Sequence, residues 1–234
     1  MVYNCLKYIR SFVYPTTCVL CGAEATRELD LCAPCRKALP LNTPCCRKCA
    51  LPLPLDIPGG VCGSCLTTPP AYDLCIAPLR YQPPIDYLVR GFKFQQKLGL
   101  GKVLGELLWT ELANRHLDRP ELIVPVPLHP ERLRQRGYNQ ALELSRLLSK
   151  RLQVQLDYRS CARIRTTPHQ AALGKTGRVA NVRGAFRLHQ PLGVQHVALV
   201  DDVVTTAATV SELAAMMRRA GVEHIQVWAA ARTP

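Results

Sequence analysis

Aromatic residues are scarce in this chain: two Trp and four Phe among 234 residues, and 6% aromatic overall. That excludes an extended platform on which nucleotide bases stack one after another. Acids are scarce too, 17 against 30 Lys and Arg, for a formal net charge of +13. There is no run of 18 or more apolar residues, so nothing in the sequence reads as a transmembrane helix. The N-terminal stretch MVYNCLKYIRSFVYPTTC holds Lys7 and Arg10 inside its apolar part, which breaks a signal-peptide core. A short amphipathic helix on Leu6, Ile9, Phe12 and Val13 is expected there instead, and a cytoplasmic location with it. No low-complexity tract occurs, and no internal repeat beyond pairs of cysteines.

Cysteine is what the first part of the chain has in abundance. Nine of the twelve cysteines fall between Cys18 and Cys65. In a reducing compartment such clustering argues for metal rather than disulfides. Four C-x-x-C pairs stand out: Cys18/Cys21, Cys32/Cys35, Cys46/Cys49 and Cys62/Cys65. That spacing lets two thiolates of one tight turn reach the same tetrahedral zinc. Two structural zinc sites of four cysteines each are expected. Spacing leaves open whether pairs one and two share a metal, or pairs one and three in a cross-brace. Cys45 could stand in for Cys46, while Cys5, Cys75 and Cys161 read as small buried hydrophobes. Zinc here would replace the core that so short and proline-rich a segment cannot build.

Near residue 70 the composition changes, and the sequence divides into a Cys-rich zinc-binding module (1–70) and a second domain (71–234). Ile85, Leu88, Val89 and Phe92 form one helical face, and Val103, Leu104, Leu107, Leu108 and Leu112 another. Strands are expected at 121–127, 194–200 and 223–230. Helices are expected at 139–152, with Leu144, Leu147 and Leu148 inward, and at 209–220, ending at Gly221. Alternation of this kind gives an α/β fold, a parallel sheet with crossover helices. The basic excess is concentrated here: residues 130–190 carry thirteen Lys or Arg against three acids, a net of +10. Such a region attracts phosphates.

Further along the same domain, VALVDDVVTTAATVSEL (197–213) places Asp201 and Asp202 side by side at the end of an apolar run. Their repulsion must be offset, for instance by a sugar diol or a metal. The hydroxyl-rich turn that follows opens a helix, where free N–H groups and the helix dipole favour an anion. A ligand carrying both ribose and phosphate satisfies both features. The run LVDDVVTTAAT (199–209) resembles the loop by which type I phosphoribosyltransferases bind phosphoribosyl pyrophosphate (PRPP). The resemblance implies that Asp201 and Asp202, the candidate catalytic pair, contact the ribose hydroxyls. Thr205, Thr206, Ala207, Ala208 and Thr209 would then cradle the 5′-phosphate. Ala207 departs from the family, which has glycine there. After the first strand, VPVPLHPERLRQRGYNQA offers Arg132, Arg134 and Arg136 as guanidinium forks for the pyrophosphate.

A longer pattern is more specific. RGYNQA (136–141), RIRTTPHQAALGKTGRVANVRGAFRL (163–188), VDDVVTTAAT, the upstream Cys pairs and IDYLVRGFKFQQK (85–97) together resemble the ComF/GntX family of competence-related proteins. The resemblance runs from about Cys18 to Arg232. It implies a zinc module fused to a type I phosphoribosyltransferase-like domain, Mg²⁺ bound with PRPP, and a role in uptake or utilisation of external DNA. Residues 163–188 would include a mobile loop that closes on the ligand. Arg163, Gln170, Arg178 and Asn181 match its spaced polar positions, and Arg178 could reach a polyphosphate. Three readings follow. One is a transferase that passes the phosphoribosyl group to an acceptor nitrogen, with His129 and His169 the nearby candidate bases. The second is a DNA-handling protein whose basic segment engages single-stranded DNA. The third is a scaffold in which the zinc module docks a DNA-uptake helicase or a transport partner.

Overall fold

A computed structural model describes residues 16–26, 29–54, 57–166 and 182–234. The expected N-terminal helix (6–13), His169, Gln170, Arg178 and Asn181 lie outside the described residues. The chain forms two compact units, residues 1–40 and 41–234. Among the described residues of the first is one short helix, α1 (Ala33–Lys37), which begins directly after Cys32.

The second unit is built on a 6-stranded sheet. Its strands are β1 (Leu74–Ile76), β2 (Leu79–Arg80), β3 (Leu122–Pro125), β4 (Gln155–Leu156), β7 (His196–Val204) and β8 (His224–Arg232). They run in the order β1-β8-β7-β3-β4, with β2 also beside β8, and every pairing is parallel. Two further strands, β5 (Cys161–Arg163) and β6 (Phe186–Leu188), form an antiparallel pair of their own. The apolar runs Leu122–Val124 and Val197–Val200 are buried throughout. A sheet covered on both faces requires such unbroken runs, because successive side chains point to opposite sides. On one face Leu122, Val124, Leu199 and Val227 share a core with Val210, Leu213, Ala214 and Met217 of helix α7 (Ala208–Arg219).

Among the described residues, the other α-helices named in this unit are α2 (Gly63–Thr67), α3 (Ile85–Phe94), α4 (Leu98–Ala113), α5 (Pro130–Arg136) and α6 (Gln140–Leu152). Helix α4 packs between α3 and α6, and α4 and α6 also contact strands of the sheet. The expected inward faces are present: Ile85, Leu88, Val89 and Phe92 on α3, and Val103, Leu104, Leu108 and Leu112 on α4, are all buried. Leu144 and Leu148 are buried on α6, while Leu107 and Leu147 are half-buried. The fold is thus the expected parallel sheet with crossover helices, joined to zinc-binding knuckles.

Strand order decides where a ligand would sit. From β3 the chain goes on to β4 on one side, and from β7 to β8 on the other. A crevice therefore opens beyond the carboxyl ends of β3 and β7, the position where open α/β sheets bind ligands. Among the described residues, no helix is long and apolar enough to cross a membrane.

Candidate functional site

Among the described residues two tetracysteine clusters form, Cys18/Cys21/Cys32/Cys35 and Cys46/Cys49/Cys62/Cys65, each with its sulfurs within 4.8 Å of one another. The pairing is sequential, which spacing alone had left open. Cys21 and Cys32 bring their Sγ atoms to 3.6 Å, as do Cys49 and Cys62. A zinc held tetrahedrally at ~2.3 Å separates its thiolates by ~3.8 Å, so both donor sets fit that metal. Burial would raise the Cys18 thiol, but backbone N–H groups of Cys32, Leu20 and Cys21 outweigh it and bring it down to about 6. Cys46 is likewise lowered to about 7, against burial, by the N–H groups of Cys62, Cys49 and Lys48. Such thiols ionise readily for a metal. The two knuckles repeat in detail. Gly22 (φ 77) and Ala50 (φ 55) each follow the second cysteine of the turn in a left-handed conformation. Each N–H then reaches back to the first cysteine's carbonyl, at 2.9 and 2.8 Å.

The adjacent carboxylates lie inside β7, which runs on through Val203 and Val204 rather than stopping at residue 200. Asp202 is the buried one. Its Oδ2 accepts from Lys93 Nζ at 2.8 Å and its Oδ1 from the Val203 N–H at 2.7 Å. Asp201 Oδ1 accepts from the Asp202 N–H at 2.9 Å. Burial and the Asp202 charge push the Asp201 carboxyl up to about 7, against the pull of Lys93. Repulsion is therefore relieved in two ways: by Lys93 and by a proton held on Asp201 near neutrality. Arg163, at the end of β5, interacts electrostatically with both Arg132 and Asp201.

Beyond β7, half-buried Thr205 and Thr206 lead to Ala207, whose φ of 61 and ψ of 1 are left-handed, and α7 starts at Ala208. No side chain caps the helix and no acid occupies its first turn. Its leading N–H groups and dipole thus face the crevice, ready for an anion. Ala207 bears a strain that glycine avoids, about 1–2 kcal/mol for an L-residue. The added freedom of glycine in the unfolded chain offsets ~0.4–1 kcal/mol of that. Ala207→Gly should therefore raise stability by about 1 kcal/mol, or roughly 2–4 °C in melting midpoint. Thermal unfolding measures this directly; an unchanged or lower midpoint would contradict the strain.

The loop after β3 is fixed by RGYNQA, residue by residue. Gly137 ends α5 in the left-handed conformation, φ 80. The Tyr138 hydroxyl donates to the Phe92 carbonyl of α3. Asn139 accepts from the Ala141 N–H at 3.0 Å, capping α6, and donates to the Val126 carbonyl at 3.0 Å, where the chain leaves β3. Arg136 donates to Gln140 at 3.0 Å and lies 5.5 Å over the Phe94 ring. A cleft of about 290 Å³ results, lined by Lys93, Arg132 and Arg136 with Phe94, Gln96 and Gln135. Among the described residues, three cations and no acid line it.

Of the three arginines expected together, the structure assembles two. Arg132 and Arg136 are four residues apart on α5 and share a face, whereas Arg134 lies about 200° around the helix from Arg132 and is exposed. His129 is engaged at the N-terminus of α5, where its Nδ1 accepts from the Glu131 N–H at 3.3 Å. Lys93 is the residue sequence reading missed, although a signal existed. Ile85, Val89 and Lys93 fall at i, i+4 and i+8, so a lysine sits on the apolar stripe of α3, where burial demands an anion.

Residues 9–66 match the double zinc ribbon domain. Over 225 residues, 94% of the chain, it is 35% identical to the DNA utilization protein YhgH of Escherichia coli K12, covering 98% of that protein. It is also 35% identical over 223 residues to Competence protein F of Haemophilus influenzae, covering 92% of the chain and 96% of the relative. Among solved structures, orotate phosphoribosyltransferase from Aeropyrum pernix is similar over 59% of this chain and 75% of its own, with 15% identity and a TM-score of 0.36. That structural likeness carries no functional argument.

Proposed function

The chain belongs to the ComF/GntX family, and from that premise we propose that its sheet domain binds PRPP, with Mg²⁺, in the crevice beyond β3 and β7. The observation that carries this reading is a single arrangement. A carboxylate pair, with Asp202 buried and Asp201 half-buried, runs into an uncapped helix N-terminus, at the switch point of a parallel sheet, beside a cleft lined by three cations. Asp201 and Asp202 accept hydrogen bonds from the ribose hydroxyls. The N–H groups of Ala207, Ala208 and Thr209, with the hydroxyls of Thr205 and Thr206, hold the 5′-phosphate. Arg132 and Arg136 take the pyrophosphate, and Arg178 is a further candidate phosphate ligand. Mg²⁺ accompanies PRPP and neutralises part of its charge. The names of its relatives support a role in DNA utilisation or competence; a cytoplasmic location, and single-stranded DNA, a DNA-uptake helicase or a transport partner, complete the proposal.

In a transferase, the C1′–O bond breaks, pyrophosphate leaves with the electron pair, and an acceptor nitrogen attacks the oxocarbenium-like carbon. The protein's part would be positioning and charge stabilisation. Incubation with PRPP and Mg²⁺, with and without a nucleobase panel and single-stranded DNA, separates the alternatives. Acceptor-dependent pyrophosphate release supports turnover. PRPP binding without release supports a binding or regulatory role.

Asp201 supplies a pH test. In the free protein it holds its proton up to about pH 7, and only the ionised form accepts two hydroxyl hydrogen bonds. PRPP affinity should therefore rise about tenfold between pH 6 and pH 8. In Asp201→Asn only the phosphates' own ionisation near pH 6 should remain. Stability moves the other way. With its folded pKa raised above the unfolded value of 3.8, Asp201 favours the fold below that value, and this contribution is lost as pH rises from about 4 to about 7. Equal pH profiles for parent and variant would remove Asp201 from the site.

A further inference from the structure

We propose that the second tetracysteine site is a working part of the phosphate seat: Arg232 ties it to the 204–205 backbone, so zinc at Cys46/Cys49/Cys62/Cys65 governs affinity for the phosphate ligand. Zinc at Cys18/Cys21/Cys32/Cys35 does not. This inference rests on the PRPP reading for its ligand, but not for its structural link.

Arg232 ends β8, opposite Val204 of β7, and is 5% exposed. Its Nε donates to the Cys49 carbonyl at 3.0 Å, on the metal-binding turn. Its Nη1 donates to the carbonyls of Val204, at 3.3 Å, and of Thr205, and to that of Thr233 at 2.6 Å. One guanidinium, a rigid planar fork, thus holds the cysteine knuckle on one side and the start of the anion loop on the other. Asn42, 3% exposed, adds a second tie: its Nδ2 donates to the Ala50 carbonyl at 2.8 Å and to the Ala77 carbonyl at 3.0 Å. A cleft of about 580 Å³ runs between the two parts. Cys49, Cys62 and Cys65 line one wall, and Thr205, Thr206 and Ala207 line the other.

The knuckle's own core is small, although Ala50 also enters the core of the sheet. Its core is the four cysteines, with Leu51, Leu53 and Val61 partly buried against them. A segment of that size depends on its metal for shape. Without metal the Cys49 carbonyl leaves Arg232, and a buried guanidinium must find other acceptors. The nearest are the loop carbonyls it already holds, whose direction sets where the following N–H groups point. The first site has no such tie in the Arg232 network, and its cysteines lie in the other compact unit, residues 1–40.

The test compares Cys62→Ser, Cys32→Ser, Arg232→Met and Arg232→Lys in the full chain. It reads zinc content, amide hydrogen exchange over residues 204–210, and calorimetric affinity for PRPP. Each cysteine variant should lose one zinc. Cys62→Ser should bind PRPP about tenfold more weakly, with faster exchange across the loop, while Cys32→Ser stays within about twofold of the parent. Both Arg232 variants should keep two zincs and still show the faster exchange and weaker binding, a combination that loss of the knuckle alone would not produce. Equal effects from Cys62→Ser and Cys32→Ser, or normal loop exchange in both Arg232 variants, would overturn the proposal. Should the parent itself not bind PRPP, the functional reading fails, and the exchange data still decide the coupling.

Discussion

Lys93→Ala should destabilise the protein by about 3 kcal/mol at neutral pH, because it leaves the Asp202 carboxylate buried without its cation. The pair is close, 2.8 Å, with the Asp202 side chain 8% exposed. Asp202→Asn should cost less, since asparagine can still accept from the Val203 N–H and carries no charge to strand. The double variant should then be more stable than Lys93→Ala alone, a coupling of about 1–3 kcal/mol. Binding should follow a different order. Every variant lacking the Asp202 charge loses hydrogen bonds to an ionised acceptor, so PRPP affinity should fall roughly ten- to a hundredfold. Urea unfolding and calorimetric titration of the three variants check both. Additive stabilities would mean that the two charges do not support each other in solution.

Replacement of the cleft arginines should have an effect of similar size, confined to the ligand. Arg132→Ala and Arg136→Ala each remove a guanidinium from the cleft shared with Lys93. Each should weaken PRPP and free pyrophosphate by about tenfold or more, the worth of a charge-assisted contact in a sheltered site. Arg134→Ala, on the far side of the same short helix, should leave both affinities unchanged. Competition titrations with pyrophosphate measure all three. An equal loss at Arg134 would mean that the segment acts as a diffuse basic surface, and binding that collapses with salt at any phosphate polymer would point the same way.

Local features of this site could be read from the sequence because local chemistry produces them. The stripes of α3 and α4, the uncapped start of α7 and the C-x-x-C turns each depend on residues a few positions apart. Ala207 belongs with them: its left-handed backbone, φ 61, occurs where related loops carry glycine. What the sequence withheld depends on long-range partners. Lys93 meets Asp202 across more than a hundred residues, and Arg232 reaches Cys49 across 183. The sequential cysteine pairing is hidden because similar gaps between pairs, ten, ten and twelve residues, permit either order. β7 reaches beyond its apolar run because Val203 and Val204 pair with Ala231 and Arg232 of β8. Arg134 was grouped with its neighbours because composition counts charge and ignores the phase of a helix.

Calorimetric titration of the zinc-loaded chain with PRPP and Mg²⁺ at pH 8 tests the central claim most directly. A single site is expected, displaced both by ribose 5-phosphate and by pyrophosphate, because each fills one half of the crevice beyond β3 and β7. The same titration on Asp202→Asn should return an affinity at least about tenfold weaker. No saturable binding up to about 1 mM PRPP, or undiminished binding by Asp202→Asn, would contradict the account.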